Sequence, residues 1–199
     1  MSVFTSLGGA LRRLNLKRRG VGIATATVIA AAALALGRGL LAGPDTLQSL
    51  GPMPALSGAV QWLNSPPLDR EALKGKVVLV DFWTYDCINC RRSLPYVNTW
   101  AKRYADQGLV VVGVHTPEYD YENKVENVRD QVAKLDIKYP VAIDNRYAIW
   151  NAFGNQFWPA HYFVDARGQV RYVHFGEGAY DTQEQVIQQL LAESRGLAP

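Results

Sequence analysis

Two segments of the chain are almost unbroken apolar runs, Val77–Trp83 (VVLVDFW) and Leu109–His115 (LVVVGVH). Seven residues of largely β-branched character fit a strand better than a core helix. Neither run alternates with polar residues, so both faces of each strand must be covered. A sheet covered on both faces needs helices on both sides, and two parallel strands need a crossover between them. The intervening stretch supplies one: Tyr96, Val97, Trp100 and Tyr104 recur at helical spacing, and the pattern stops near Gly108. Val125, Val128, Val132 and Leu135 mark a second amphipathic helix, followed by a short strand at Pro140–Ile143 and a helical turn at Tyr147–Phe153. His161–Asp165 and Val170–His174 flank Ala166-Arg167-Gly168-Gln169, a hairpin signal. Thr182–Ser194 closes the chain as a helix with Val186, Ile187, Leu190 and Leu191 on one side. The expected class is an α/β sandwich with a central mixed β-sheet flanked by helices, in which 77–83 and 109–115 are parallel neighbours.

The formal charge of +3 is unevenly placed. Residues 1–43 hold six basic residues (Arg12, Arg13, Lys17, Arg18, Arg19, Arg38) and no acid, leaving fifteen basic against eighteen acidic residues in the remainder. A basic domain for nucleic acid is therefore not expected. The basic patch RRLNLKRRG precedes an uncharged stretch from Val21 to Gly37, seventeen residues, at the short edge of a spanning helix of ~17–25 and slightly long for a secretory core of ~7–15. Residues 1–43 thus read as an N-terminal hydrophobic helix, either a signal anchor or a cleaved signal peptide. The basic flank places the N-terminus in the cytoplasm and the rest outside it. Residues 44–58 are rich in Pro, Gly and Ser and read as a tether, with a short strand expected at Ala59–Leu63 entering a domain of residues 59–199.

The only two cysteines, Cys87 and Cys90, fall between the first long strand and the first helix. At a helix start the first sulfur meets unsatisfied N–H groups and the positive end of the helix dipole. That field favours thiolate and can bring a thiol pKa from ~8.5 to ~3.5–7.5. The second sulfur, one turn on, can reach the first and resolve a mixed disulfide. The other uses of such a pair fit less well. A structural disulfide here would close a tiny loop and add little. Zinc needs about four ligands, and His115, His161 and His174 are scattered. Covalent haem needs a His where Arg91 stands.

LVDFWTYDCINCRRSLPYV resembles the active-site segment of the thioredoxin superfamily, with Trp83 four residues before the pair and Pro95 five after Cys90. Phe157-Trp158-Pro159-Ala160-His161-Tyr162-Phe163-Val164-Asp165 resembles that superfamily's cis-proline segment. Tyr-Asp-Cys-Ile-Asn-Cys and Trp-Pro-Ala-His-Tyr are most similar to the thioredoxin-like domain of DipZ proteins, in the TlpA-like branch. The resemblance spans roughly Ala59 to Leu191 and implies a thioredoxin-like sandwich. It also implies a cis Trp158–Pro159 bond, with Trp158 and Pro159 presenting an extended substrate beside Cys87. Asp81 falls where many thioredoxins keep a buried acid that takes the proton of the second cysteine; a strand-end Asp on a solvated edge is the alternative. Trp83 reads as a packing residue at the border of the site.

The expected function is therefore an extracytoplasmic thiol:disulfide oxidoreductase that reduces or exchanges protein disulfides. Cys87 attacks, Cys90 resolves, and the redox-active Cys87–Cys90 disulfide serves in place of any diffusible cofactor. The resemblance implies a membrane thiol donor of DipZ or CcdA type. Two features depart from the pattern: Asp86 puts a carboxylate immediately before Cys87, or else a solvated surface charge, and Ile88-Asn89 replaces the Gly-Pro spacer. His115–Glu122 after the second strand is either a partner surface or a plain loop. Two rival activities remain open. Thr84-x-x-Cys87 is similar to a peroxiredoxin pattern and suggests a thiol peroxidase, although Val80 stands where that pattern has Pro. A copper-handling chaperone would use the cysteines with His115 or His161.

Overall fold

A computed structural model describes residues 47–196, and the N-terminal helix expected over residues 1–43 lies outside them. Among the described residues no helix is long and apolar enough to cross a membrane. The strands are β1 (Gly51–Pro52), β2 (Gln61–Leu63), β3 (Val77–Trp83), β4 (Leu109–His115), β5 (Val141–Ile143), β6 (Ala160–Val164) and β7 (Gln169–Phe175). The helices are α1 (Ile88–Arg103), α2 (Val125–Lys134), α3 (Ala148–Ala152) and α4 (Tyr180–Arg195). The strands form one sheet in the order β1-β7-β6-β3-β4-β5-β2. The two apolar runs are the central parallel pair, β3 against β4, and β6 lies antiparallel on the other side of β3.

Strand alternation sorts β3 between two cores. Leu79 and Trp83 face one cluster with Leu94, Val97 and Trp100 of α1, Val128 and Val132 of α2, and Ile187 and Leu190 of α4. Val78, Val80 and Phe82 face the other, with Met53, Leu56, Ile149 and Trp150. Burying each such side chain is worth about 1.5–3 kcal/mol, which holds the helices to a strand that has no polar face. Gly113 interrupts β4 for a reason of space. It is the register partner of Asp81, and a Cβ there would lie 2.9 Å from Trp83 Nε1 and 3.1 Å from Tyr139 Cε2.

Several boundaries differ from the sequence expectation. Gly51–Pro52, inside the stretch read as a tether, pairs with Val170 and Gln169 as an edge strand, and Met53 and Leu56 behind it are buried. The strand read at Ala59–Leu63 is limited to Gln61–Leu63. Tyr96 does not share the buried face of Val97, Trp100 and Tyr104; it is exposed and stacks on Tyr180 at 3.6 Å between ring centroids. The first helix ends at Arg103, and the chain turns back through a 3-10 turn at Ala105–Gln107 and Gly108, whose φ of 101° suits glycine.

Candidate active site

Cys87 is the N-cap of α1, with extended backbone at φ −71° and ψ 112°, and its Sγ accepts the Cys90 N–H at 3.2 Å. The sulfur therefore occupies the capping position usually taken by a Ser or Asp oxygen, where the field of the helix favours negative charge. The first turn of α1 contains no acid to oppose that field. Cys90, one turn inside, is 1% exposed, while Cys87 is half-buried, so only the first sulfur faces an incoming partner. The two form a disulfide across a Cα–Cα distance of 5.2 Å.

The turn that carries Cys87 is held from the side by residues 116–123. Glu122 is fully buried, and its carboxylate accepts the N–H groups of Asp86 (3.2 Å), Glu118 (2.7 Å) and Tyr119 (3.0 Å). Tyr85 Oη donates to the Tyr121 carbonyl. Asp86 is exposed, and the Tyr121 hydroxyl donates to its Oδ2 at 2.5 Å. The hydrogen bond to Asp86 pushes the Tyr121 hydroxyl well above its ordinary range, so it remains a donor. Asp86 thus spends its charge partly on Tyr121. The segment read as a plain loop or partner surface is both anchored and displayed: Glu122 is interior, whereas Tyr119 and Tyr121 stack in parallel on the surface with centroids 5.5 Å apart. Glu122 was invisible in the sequence, where it looks like one more acid in a polar stretch.

The Trp158–Pro159 bond is cis, and Pro159 directly precedes β6. Because Phe82 pairs with Ala160, Pro159 lies at the end of the sheet from which the Cys87 turn emerges. Trp158 is fixed by its indole N–H, which donates to the Thr116 carbonyl at 3.0 Å, and by Trp150, 4.1 Å away between centroids. Trp158 and Cys87 both pack against the core cluster that contains Trp83 and Cys90. Trp83 itself is wholly buried, its ring nearly perpendicular to that of His115 with centroids 5.3 Å apart, so it supports the site from within.

Asp81 is 2% exposed in the middle of the sheet, which removes the solvated-edge alternative. It faces the same side as Leu79 and Trp83, beneath α1, and its register partner on β6 is His161. His161 Nε2 lies 3.2 Å from Asp81 Oδ1, with both side chains interior. His161, weighed from the sequence only as a metal ligand, is thus a partner of the buried acid. Among the described residues no three His, Cys, Asp or Glu side chains form a metal-holding group.

Thr84 and His115 form a second buried pair, Oγ1 to Nε2 at 3.2 Å, with Tyr85 stacked over the imidazole. The Thr84 hydroxyl is therefore engaged inside the core. Burial holds the His115 imidazole down at about 3, against an ordinary 6.5. On unfolding it regains the ordinary value, so the unfolded chain binds the extra proton. This group costs nothing above pH 6.5, and stability falls as pH drops from 6.5 toward 3, by up to about 1.4 kcal/mol per unit. Urea melts at pH 7 and pH 5 should show the wild type losing about 2 kcal/mol more than His115→Gln, whose amide takes the place of Nε2 toward Thr84 but does not titrate. Equal losses in the two proteins would mean that His115 is not neutral in the fold.

The Redoxin family model matches residues 52–191. The chain is 49% identical over 156 residues to the protein DipZ of Mycobacterium bovis, an alignment covering 77% of this chain and 22% of that protein. The chain therefore spans about a fifth of the length of that relative. The thiol-disulfide oxidoreductase YkuV of Bacillus subtilis is 33% identical over 143 residues, 72% of this chain and 96% of YkuV. The solution structure of a thioredoxin-like protein in the oxidised form superposes with a TM-score of 0.66 at 35% identity, covering 72% of this chain and 96% of that one.

Proposed function

Because the chain belongs to the Redoxin family and has its thioredoxin-like fold, we propose that it is a thiol:disulfide oxidoreductase acting on protein disulfides outside the cytoplasm. The observation that carries this reading is Cys87 as the cap of α1, half-exposed and joined to a buried Cys90 one turn on. In the reduced protein the Cys87 thiolate attacks one sulfur of a substrate disulfide. A Cys87–substrate bond forms, the substrate S–S bond breaks, and one substrate thiolate leaves. Cys90 then gives its proton to Asp81, and its thiolate attacks Cys87 Sγ. The second substrate thiolate departs, and the Cys87–Cys90 disulfide seen in the structure remains. Trp158 and Pro159 present the substrate strand at the end of the sheet where Cys87 stands.

Repeated turnover needs two electrons per cycle. A membrane thiol donor of DipZ or CcdA type supplies them in this reading, which the 49% identity to DipZ supports. The basic, then apolar, residues 1–43 carry the domain across the membrane and either anchor it or are removed. The test is a pair of assays on the same preparation. With dithiothreitol present the protein should accelerate insulin reduction, whereas hydrogen peroxide without any protein disulfide should be consumed at the background rate. Peroxide consumption with insulin left intact would transfer the site to the thiol peroxidases.

A further inference from the structure

The neighbours of His161 fix which of its ring nitrogens donates to Gln183. Gln183, fully buried on α4, donates its amide N–H to the Gly178 carbonyl at 2.7 Å, so its Oε1 is left to accept. His161 Nδ1 stands 2.6 Å from that Oε1 and must be the donor there. The other ring nitrogen, Nε2, then meets Asp81 Oδ1 at 3.2 Å, an approach within ion-pair reach though not aligned as a linear hydrogen bond. A bare nitrogen lone pair beside a carboxylate in a dry core is repulsive, and a proton on Nε2 makes the same contact attractive. The short Nδ1 contact fits a charged donor, since charge-assisted bonds run shorter than neutral ones.

We propose that His161 is a positioning residue that rests as an imidazolium, holding Asp81 ionised so that the carboxylate is ready to take the Cys90 proton. The inference rests on the oxidoreductase reading for its catalytic half only. Without a cation beside it, a carboxyl buried to this degree is driven toward its neutral form and has no capacity to accept a proton. With His161 charged, Asp81 is held as a carboxylate able to accept that proton. In the resolving step Cys90 loses a proton, Asp81 gains it, and His161 keeps its own; the pair returns the proton to solvent once the enzyme disulfide has formed.

The other groups facing the pair do not supply the charge. Tyr139, from the segment before β5, is held well above its ordinary range by burial first and by Asp81 next, and so stays a neutral phenol. His174 is the register partner of His161 on β7, and burial, then its neighbour His161, holds it below its ordinary range. On β4 the facing residue is Gly113, which has no side chain, and α1 contributes Trp100, an uncharged ring nearly perpendicular to that of His161 with centroids 6.5 Å apart.

The direct test is a two-bond 1H–15N correlation spectrum of the oxidised full chain labelled at histidine, at pH 7. Both ring nitrogens of His161 should show protonated shifts, and Asp81→Asn should return the ring to a neutral Nδ1–H tautomer. A neutral His161 in the wild type overturns the proposal. The catalytic half is read from the pH profile of single-turnover resolution of a Cys87 mixed disulfide. His161→Phe should move the profile upward by at least one pH unit, a loss of about tenfold at pH 6.5 with the rate above pH 9 kept, and should add nothing in an Asp81→Asn background. A uniform drop at every pH, as from a packing defect, refutes it. If the Phe variant does not fold, Gln183→Leu keeps the imidazole and should shift the profile in the same direction, by less; an unmoved profile there also refutes it. The spectrum requires no substrate, so a cationic His161 beside a failed insulin assay would sink the enzyme reading and leave the pair standing.

Discussion

Cys87→Ser should bring insulin reduction to the uncatalysed rate, a loss of about 10³-fold or more, because the sulfur of the pair that faces solvent is gone. The fold should be untouched. The proper reference is the reduced wild type, in which no crosslink exists, and against it the melting temperature should move by no more than a few degrees: the serine hydroxyl can cap α1 in place of Cys87 Sγ. Cys90→Ser should also lose turnover, down to the slow rate at which the dithiothreitol of the assay cleaves its adduct, by a different route. Its Cys87 still attacks, and the product has no exit, so one substrate molecule stays covalently held per chain and is released by dithiothreitol. The contrast separates attack from resolution: non-reducing gels of cell extracts should show adducts with Cys90→Ser and none with Cys87→Ser. Adducts on Cys87→Ser and none on Cys90→Ser would reverse the roles assigned to the two sulfurs, and turnover by Cys90→Ser at the wild-type rate would remove the resolving role.

Those roles were open to sequence reasoning because they depend on local order. A β-branched run, a two-residue spacer and a helical stripe together place Cys87 at a helix cap, and no distant residue is needed to see it. The central β3–β4 pairing was legible for a similar reason, since two strands with no polar face can sit only in the middle of a covered sheet. What escaped was what depends on register across the fold. Asp81 could be assigned to a buried site or to a wet edge with equal ease until β6 placed His161 opposite it, and the Nδ1 partner of that histidine is Gln183, a further 22 residues along the chain. Gly51–Pro52 has no apolar alternation to announce a strand; its pairing is a property of the β7 edge that receives it. Tyr96 shares the helical spacing of Trp100 and Tyr104 yet lies at the exposed edge of that stripe, because its stacking partner, Tyr180, belongs to the last helix. Charge was the most misleading signal, because polar composition is what an exposed loop and a buried clamp have in common.

Glu122 is that clamp, and Glu122→Ala should be among the most damaging single changes near the site. Its carboxylate accepts three backbone N–H groups, two within its own loop and one on Asp86, and none of them has another partner that a shortened side chain would supply. Leaving a buried donor unpaired costs about 1–3 kcal/mol, and hydrogen bonds to an ionised acceptor are the stronger kind. Water can reach part of the opened loop, so the three losses do not add in full, and a total of about 2–5 kcal/mol is expected. For a domain of this size that lowers the melting temperature by roughly 5–15 °C. Glu122→Gln keeps one carbonyl oxygen but turns an amide donor toward donors, and should fall between the two. Where the loosening occurs is as telling as its size: amide exchange should quicken at Glu118–Glu122 and Tyr85–Cys87 while the β3 and β4 amides keep their protection relative to global unfolding. A variant as stable as the wild type, or one that loosens uniformly, would mean that the Cys87 turn holds its shape without the clamp. The preceding strand and α1 would then be enough to aim the sulfur.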